Sequence, residues 1–172
     1  MDFFAHIAWA YIIFSLASKR FNKKISIGLA MLFGCMPDLF SWGIFSFHAL
    51  TNGFAGRPDL SQIPQWTWTL YGITHSLFIF SAILLIIWFI FRKIPFFVWA
   101  WPMHILIDIP THSREFLPTP FLWPLSDWHF PGFSWGQVWF MILNWSLILV
   151  GIVYLNRGKI ARLFGKKTRK RK

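Results

Sequence analysis

From Tyr71 to Phe91 the chain carries no Asp, Glu, Lys or Arg, and from Gly136 to Leu155 it again carries none. A helix that crosses a bilayer needs about 20 predominantly apolar residues, with a lower limit near 17, so both stretches read as spans. Three weaker apolar stretches accompany them. One runs from about Phe3 to Ala17 and is short. One runs from about Ile25 to Leu50 and contains Pro37-Asp38. One, Ile94 to Ile109, is interrupted by Pro95 and Pro102 and followed by Pro110. Composition points the same way. Of 172 residues, 56% are apolar and only 13% charged, whereas a soluble domain carries about a quarter charged residues. Too few polar side chains remain to coat a water-facing surface. The 12 Trp and 21 Phe suit interfacial anchors and lipid-facing rings.

Basic residues set orientation. Lys19, Arg20, Lys23 and Lys24 follow the first stretch, Arg92 and Lys93 the third, and the Lys and Arg residues from Arg157 to Lys172 the fifth. Only Arg57 and Arg114 fall in the other two connections. This alternation predicts an all-α integral membrane protein of about five transmembrane helices, N-terminus outside and C-terminus cytoplasmic. Residues 1–155 form its single helical domain, and 156–172 form a basic, disordered tail. The connections 51–70 and 110–135 are rich in Gly, Pro and Trp, which predicts ordered outer loops. The predicted location is a bacterial inner membrane, multi-pass. The like-charge tail reads as a topology anchor that attracts anionic lipid, and no nucleic-acid partner is expected. Met1-Asp2-Phe3-Phe4 lacks the basic start of a signal peptide. A single cysteine, Cys35, excludes an intrachain disulfide and a Cys-rich zinc module; helix packing is its expected role.

Ionisable groups inside a bilayer are costly, and a site that keeps them usually uses them. His6, Asp38, His75, His104 and Asp108 lie within these stretches, and His112 follows closely. The predicted topology gathers all of them toward the outer side. His104 and Asp108 are four apart and share a helix face; His112 would continue it but for Pro110. Imidazole nitrogens with carboxylate oxygens are ligands for Zn²⁺ or a similar divalent ion. A cation would also relieve two carboxylates held in low dielectric. Each residue has a structural alternative. His6 can be an interfacial polar group. His75, beside Thr74 and Ser76, can hydrogen-bond between helices. Asp38 can cap the segment after a Pro37 kink. His104 with Asp108 can be a hydrogen-bonded pair. Taken together, the set reads as a metal or proton-handling site. His48, His129, Asp59 and Glu115 read as solvated loop residues, and Asp127 as an Asx-turn or an acid supporting the site.

In this order the motifs resemble the YdjM-like (DUF457) family of bacterial inner-membrane proteins, described as membrane-bound metal-dependent hydrolases. They are an early His (His6), Met36-Pro37-Asp38, Thr74-His75-Ser76, and His104, Asp108 and Thr111 as His-x3-Asp-x2-Thr. Phe121 to Trp128 is similar to that family's Pro-rich outer motif. The family is grouped with zinc-dependent phospholipases C and related nucleases. The resemblance implies His6, Asp38, His75, His104 and Asp108 as metal ligands, with His112 or His48 as substitutes. Where the family often has His-Arg-Gly before its Thr-His-Ser, this chain reads Leu70-Tyr71-Gly72-Ile73, so one His and one Arg are missing.

The expectation from residues and resemblance together is a zinc-dependent hydrolase of a phosphoester, a phospholipid being the implied substrate. Asp38 or Asp108 would serve as ligand or base. Two rivals remain at this stage: a non-enzymatic protein with a structural metal or hydrogen-bond lock, and a transporter, which would need a polar path to the other side.

Overall fold

The computed structural model describes residues 1–53 and 62–169, with side chains to Arg162. Arg57, Asp59 and the tail from 170 lie outside the described residues. The elements in chain order are α1 (Phe3–Arg20), α2 (Ile27–Asp38), a π-helical turn (Leu39–Gly43), α3 (Ile44–Thr51), α4 (Gln65–Thr74), α5 (Leu77–Phe91), a 3₁₀ turn (Phe96–Trp99), α6 (Ala100–Thr111) and α7 (Val138–Arg169). The described residues form no strand beyond an isolated Ser113–Phe116 bridge.

Five membrane spans are not what the chain builds, and the multi-pass inner-membrane topology drawn from them is corrected with them. Among the described residues two helical stretches are long and apolar enough to cross a membrane, Ile27–Thr51 and Val138–Arg162; a third is added only if α4 and α5 count as one bent span. The reasons are lengths and breaks. At 1.5 Å per residue the 12 residues of α6 reach about 18 Å, well short of a hydrocarbon core about 30 Å thick. Pro95 starts a 3₁₀ turn instead of extending α6 backwards. α1 has 18 residues but spends them on His6 at one end and Lys19 and Arg20 at the other. The uncharged stretch around His75 breaks there, its halves diverging by 56°. The alternation of basic residues holds as a sequence pattern, yet two of the segments it counts, α1 and α6, are not spans.

Local chemistry explains the boundaries. Asp2 caps α1 by accepting from the Ala5 N–H at 3.0 Å. Ser76 is extended and caps α5, its Oγ accepting from Ile79 N–H at 3.1 Å. The backbone groups freed at the α4–α5 break find partners: Trp101 Nε1–H donates to the Thr74 carbonyl at 2.9 Å, Leu77 N–H to the Phe121 carbonyl at 3.0 Å, and Ser76 Oγ–H to the Trp123 carbonyl. The π turn directly follows Asp38, a turn type that recurs at functional sites. There Ser41 Oγ–H donates to the Pro37 carbonyl at 2.8 Å.

The core forms where α2 lies against both α1 and α6. Phe14, Ala30 and Ala100 are buried at this crossing. Ile12 of α1 meets Ile148 of α7, and Phe80 and Leu84 of α5 meet Val98. Small residues permit the crossing. A methyl on Gly34 would sit 2.8 Å from the Ala10 Cβ, closer than two carbons tolerate. The stretch 112–137 is ordered, as its composition suggests. Phe133 N–H and Trp135 N–H donate to the Pro110 and Thr111 carbonyls at 3.0 and 2.9 Å, so the loop caps the end of α6. Gly132 is required there, since a Cβ would lie 2.4 Å from the His112 carbonyl oxygen. Outward faces stay apolar: Leu85, Phe89 and Phe91 on α5 and Ile142 and Val150 on α7 are exposed.

Gly34→Ala is expected to separate α1 from α2, at a cost of about 1–3 kcal/mol for overpacking. Thermal unfolding checks it: the midpoint should fall by several degrees, and an unchanged midpoint would contradict so tight a crossing.

Candidate metal centre

Four side chains from three places in the fold converge beside the stretch 112–137. Asp38 closes α2, His75 occupies the α4–α5 break, and His104 and Asp108 share one face of α6. His75, His104 and Asp108 are fully buried, and Asp38 is 9% exposed. Each offers one ligand atom, all within 4.8 Å of one another.

The hydrogen bonds behind the rings decide which nitrogens face inward. His104 Nδ1–H donates to the Gly34 carbonyl at 2.7 Å. The Thr74 hydroxyl donates to the Leu70 carbonyl at 2.9 Å, so its oxygen accepts from His75 Nδ1–H at 2.9 Å. With both Nδ1 atoms committed outward, the Nε2 atoms of the two rings face the interior. These two nitrogens lie 3.2 Å apart, a separation that either a shared proton or a cation can bridge. Fixing a ring through its outer nitrogen in this way is how metal-ligating histidines are oriented.

The remaining spacings suit a shared ion. His104 Nε2 is 3.1 Å from Asp108 Oδ2 and 3.8 Å from Asp38 Oδ1; His75 Nε2 is 3.4 Å from Asp38 Oδ1 and 3.7 Å from Asp108 Oδ2. A tetrahedron with bonds near 2.0–2.1 Å has edges of about 3.3–3.4 Å. Two buried carboxylates favour a cation, and Asp108 also receives the Met1 ammonium on its other oxygen. The cluster is able to bind a divalent metal ion.

His6 and His112 flank this group and stand outside the four. His6 stacks on His104 with ring centroids 3.6 Å apart, and its Nε2 lies 2.9 Å from Asp108 Oδ1. That oxygen faces away from the four-ligand centre and also receives the Met1 amine. His112 is held by Nδ1–H donating to the Leu117 carbonyl at 2.7 Å. Its Nε2 lies 3.6 Å from Asp108 Oδ1 and 2.7 Å from the Met1 nitrogen. Burial pushes the His112 imidazole down to about 4, so it stands neutral. α6 runs through Pro110 to Thr111 and His112 leaves it extended, so His112 reaches Asp108 from beyond the helix end.

Several residues fall elsewhere. Asp38 does not cap the following segment; its carboxylate faces His75 and His104. The His48 ring packs edge-on to Trp66 with centroids 5.5 Å apart, away from the cluster. Asp127 lines a separate cavity with Trp123 and His129. Cys35 donates to the Leu32 carbonyl within its own helix.

Tyr71 is the main residue the sequence did not point to. It is buried, with its hydroxyl 3.0 Å from His112 Nδ1 and donating to the Leu117 carbonyl at 3.2 Å. It precedes His75 by one helical turn, and that spacing was available as a signal. Leu117 holds a left-handed backbone (φ +53°), a conformation costly for a leucine. It aims the carbonyl that both His112 and Tyr71 use.

One ligand is accessible. A cavity of about 370 Å³ is lined by Asp38 and His112, with apolar walls that include Leu39, Trp42, Leu117 and Trp135. Compared with known proteins, the chain matches no family model, no curated protein and no solved structure.

Thr74→Val should leave His75 Nδ1 without its acceptor and weaken metal binding about 10–100-fold, with Thr74→Ser restoring it. Titration of metal-stripped protein with Zn²⁺ against a competing chelator reads the change. Equal affinity in the wild type and the valine variant would show that Thr74 does not orient the ring.

Proposed function

We propose that the chain is a metal-dependent hydrolase acting on a phosphoester, with zinc as the metal and a phospholipid as the substrate class. The observation that carries the reading is the convergence of His75, His104, Asp38 and Asp108, with ligand atoms within 4.8 Å of one another and Asp38 at a cavity wall. Mixed imidazole and carboxylate ligation suits Zn²⁺. The order of the His and Asp motifs, similar to that of the YdjM-like family, supports the same choice.

A divalent ion held there supplies Lewis acidity toward a phosphoryl oxygen and acidifies water at neutral pH. The chain's own residues do the rest. His75, His104 and Asp108 are buried and fixed from behind, so they would hold the ion, while Asp38, at the cavity wall, is the ligand that would shift to admit water or the phosphoester. His112 lines the same cavity as a neutral imidazole, its Nε2 held by the Met1 amine at 2.7 Å. Leu39, Trp42 and Trp135 offer an apolar wall to the non-polar part of a phosphoester, which favours an amphiphile over a sugar phosphate.

The structural-lock alternative predicts a site closed to solvent. Four protein ligands are also what a structural site has; the catalytic reading requires Asp38, the ligand at a cavity wall, to yield a coordination position to water.

The test is metal content with activity. Purified full-length protein should carry close to one divalent ion per chain by plasma mass spectrometry, and should hydrolyse bis-p-nitrophenyl phosphate or a dispersed phospholipid. His104→Ala should lose both the ion and at least about a hundredfold in rate. Protein that binds a full ion yet hydrolyses neither substrate would leave a structural metal site. Protein that binds none would remove the metal reading altogether.

A further inference from the structure

Lys19 lies about 20 Å along α1 from His6 at 1.5 Å per residue, so the far end of this helix belongs to a different region. There a groove of about 570 Å³ opens between α1 and α7, lined by Lys19, Arg20, Arg157, Lys159 and Arg162. All five cations are exposed. The Arg157 guanidinium lies 4.5 Å from the ring centroid of Tyr154, which also lines the groove. Arg162 Nε–H donates to the Gly158 carbonyl at 3.1 Å, and Lys19 Nζ–H to the Leu155 carbonyl at 3.4 Å. These side chains are therefore positioned by backbone and ring.

Among the described residues no acid is paired with them. Neither α1 nor α7 contains Asp or Glu, and among the described residues the ion pairs gather at the His/Asp cluster. Cations from two helices thus face one groove without a counter-charge. Guanidinium forks match phosphate oxygens bidentately, and ammonium groups add point charge.

We propose that this groove binds a multiply charged phosphate group, presented either by a free polyphosphate or by a phospholipid headgroup. The site is independent of the metal centre, and its occupant need not be a substrate.

The test uses the full chain in neutral detergent, with pyrophosphate and short-chain phosphatidic acid as probes and short-chain phosphatidylcholine as control. Arg157→Gln/Lys159→Gln/Arg162→Gln removes three charges from the α7 wall. Lys166→Gln/Lys167→Gln/Lys170→Gln removes three from the tail and leaves the same net charge. The groove variant should lose at least about tenfold in affinity for the bound probe, and the tail variant less than about threefold. Lys19→Gln/Arg20→Gln, on the opposite wall, should also weaken binding, which guards against a folding effect confined to α7. Pyrophosphate binding assigns a free polyphosphate, and binding of phosphatidic acid alone assigns a headgroup. Equal losses in the groove and tail variants would reduce the effect to net charge and overturn the site. So would binding of neither probe.

Discussion

Two imidazoles and two carboxylates share a dry volume only where protons or cations stand among them, and much of the bundle is arranged to hold them there. Both histidines have committed their outer N–H, one to a helix carbonyl and one to a threonine hydroxyl, so neither ring can turn away without abandoning a buried hydrogen bond. Leaving such a group unsatisfied costs about 1–3 kcal/mol. The helices must then cross closely enough for these bonds to exist. Gly34 serves both needs: its missing side chain admits Ala10, and its carbonyl receives His104. Packing and ligand orientation therefore meet at one residue.

The stretch 112–137 extends the same logic. It caps α6, supplies carbonyls to the α4–α5 break and fixes His112 through Leu117. Irregular backbone is tolerated in an apolar setting where protein satisfies its polar groups. The strained Leu117 fits this picture, since two side chains depend on its carbonyl.

The site was more legible in the sequence than the fold. His104 and Asp108 follow from helical spacing, and Asp38 from an acid beside Pro37 in an apolar stretch. His75 stood out as an imidazole in an otherwise uncharged run. The number of spans was not legible, because hydropathy averages over breaks. The run from Tyr71 to Phe91 reads as one rod, while Ser76 offers a cap that restarts the helix at an angle. The stretch before Pro110 reads as a span, while its helix is too short to cross. His6 and His112 differ from the four-ligand group for a reason spacing cannot express: they approach Asp108 on its other oxygen. Tyr71 went unnoticed because its value lies in a partner forty residues away.

The ligands also bear on how the chain matures. They come from the end of α2, the α4–α5 junction and α6, segments well separated along the sequence. No stretch of nascent chain carries a complete set, so an ion can be captured only after these pieces have docked. Occupancy would then be a record of completed assembly. A cell short of the ion would accumulate chains whose secondary structure is in place and whose central contacts are still loose.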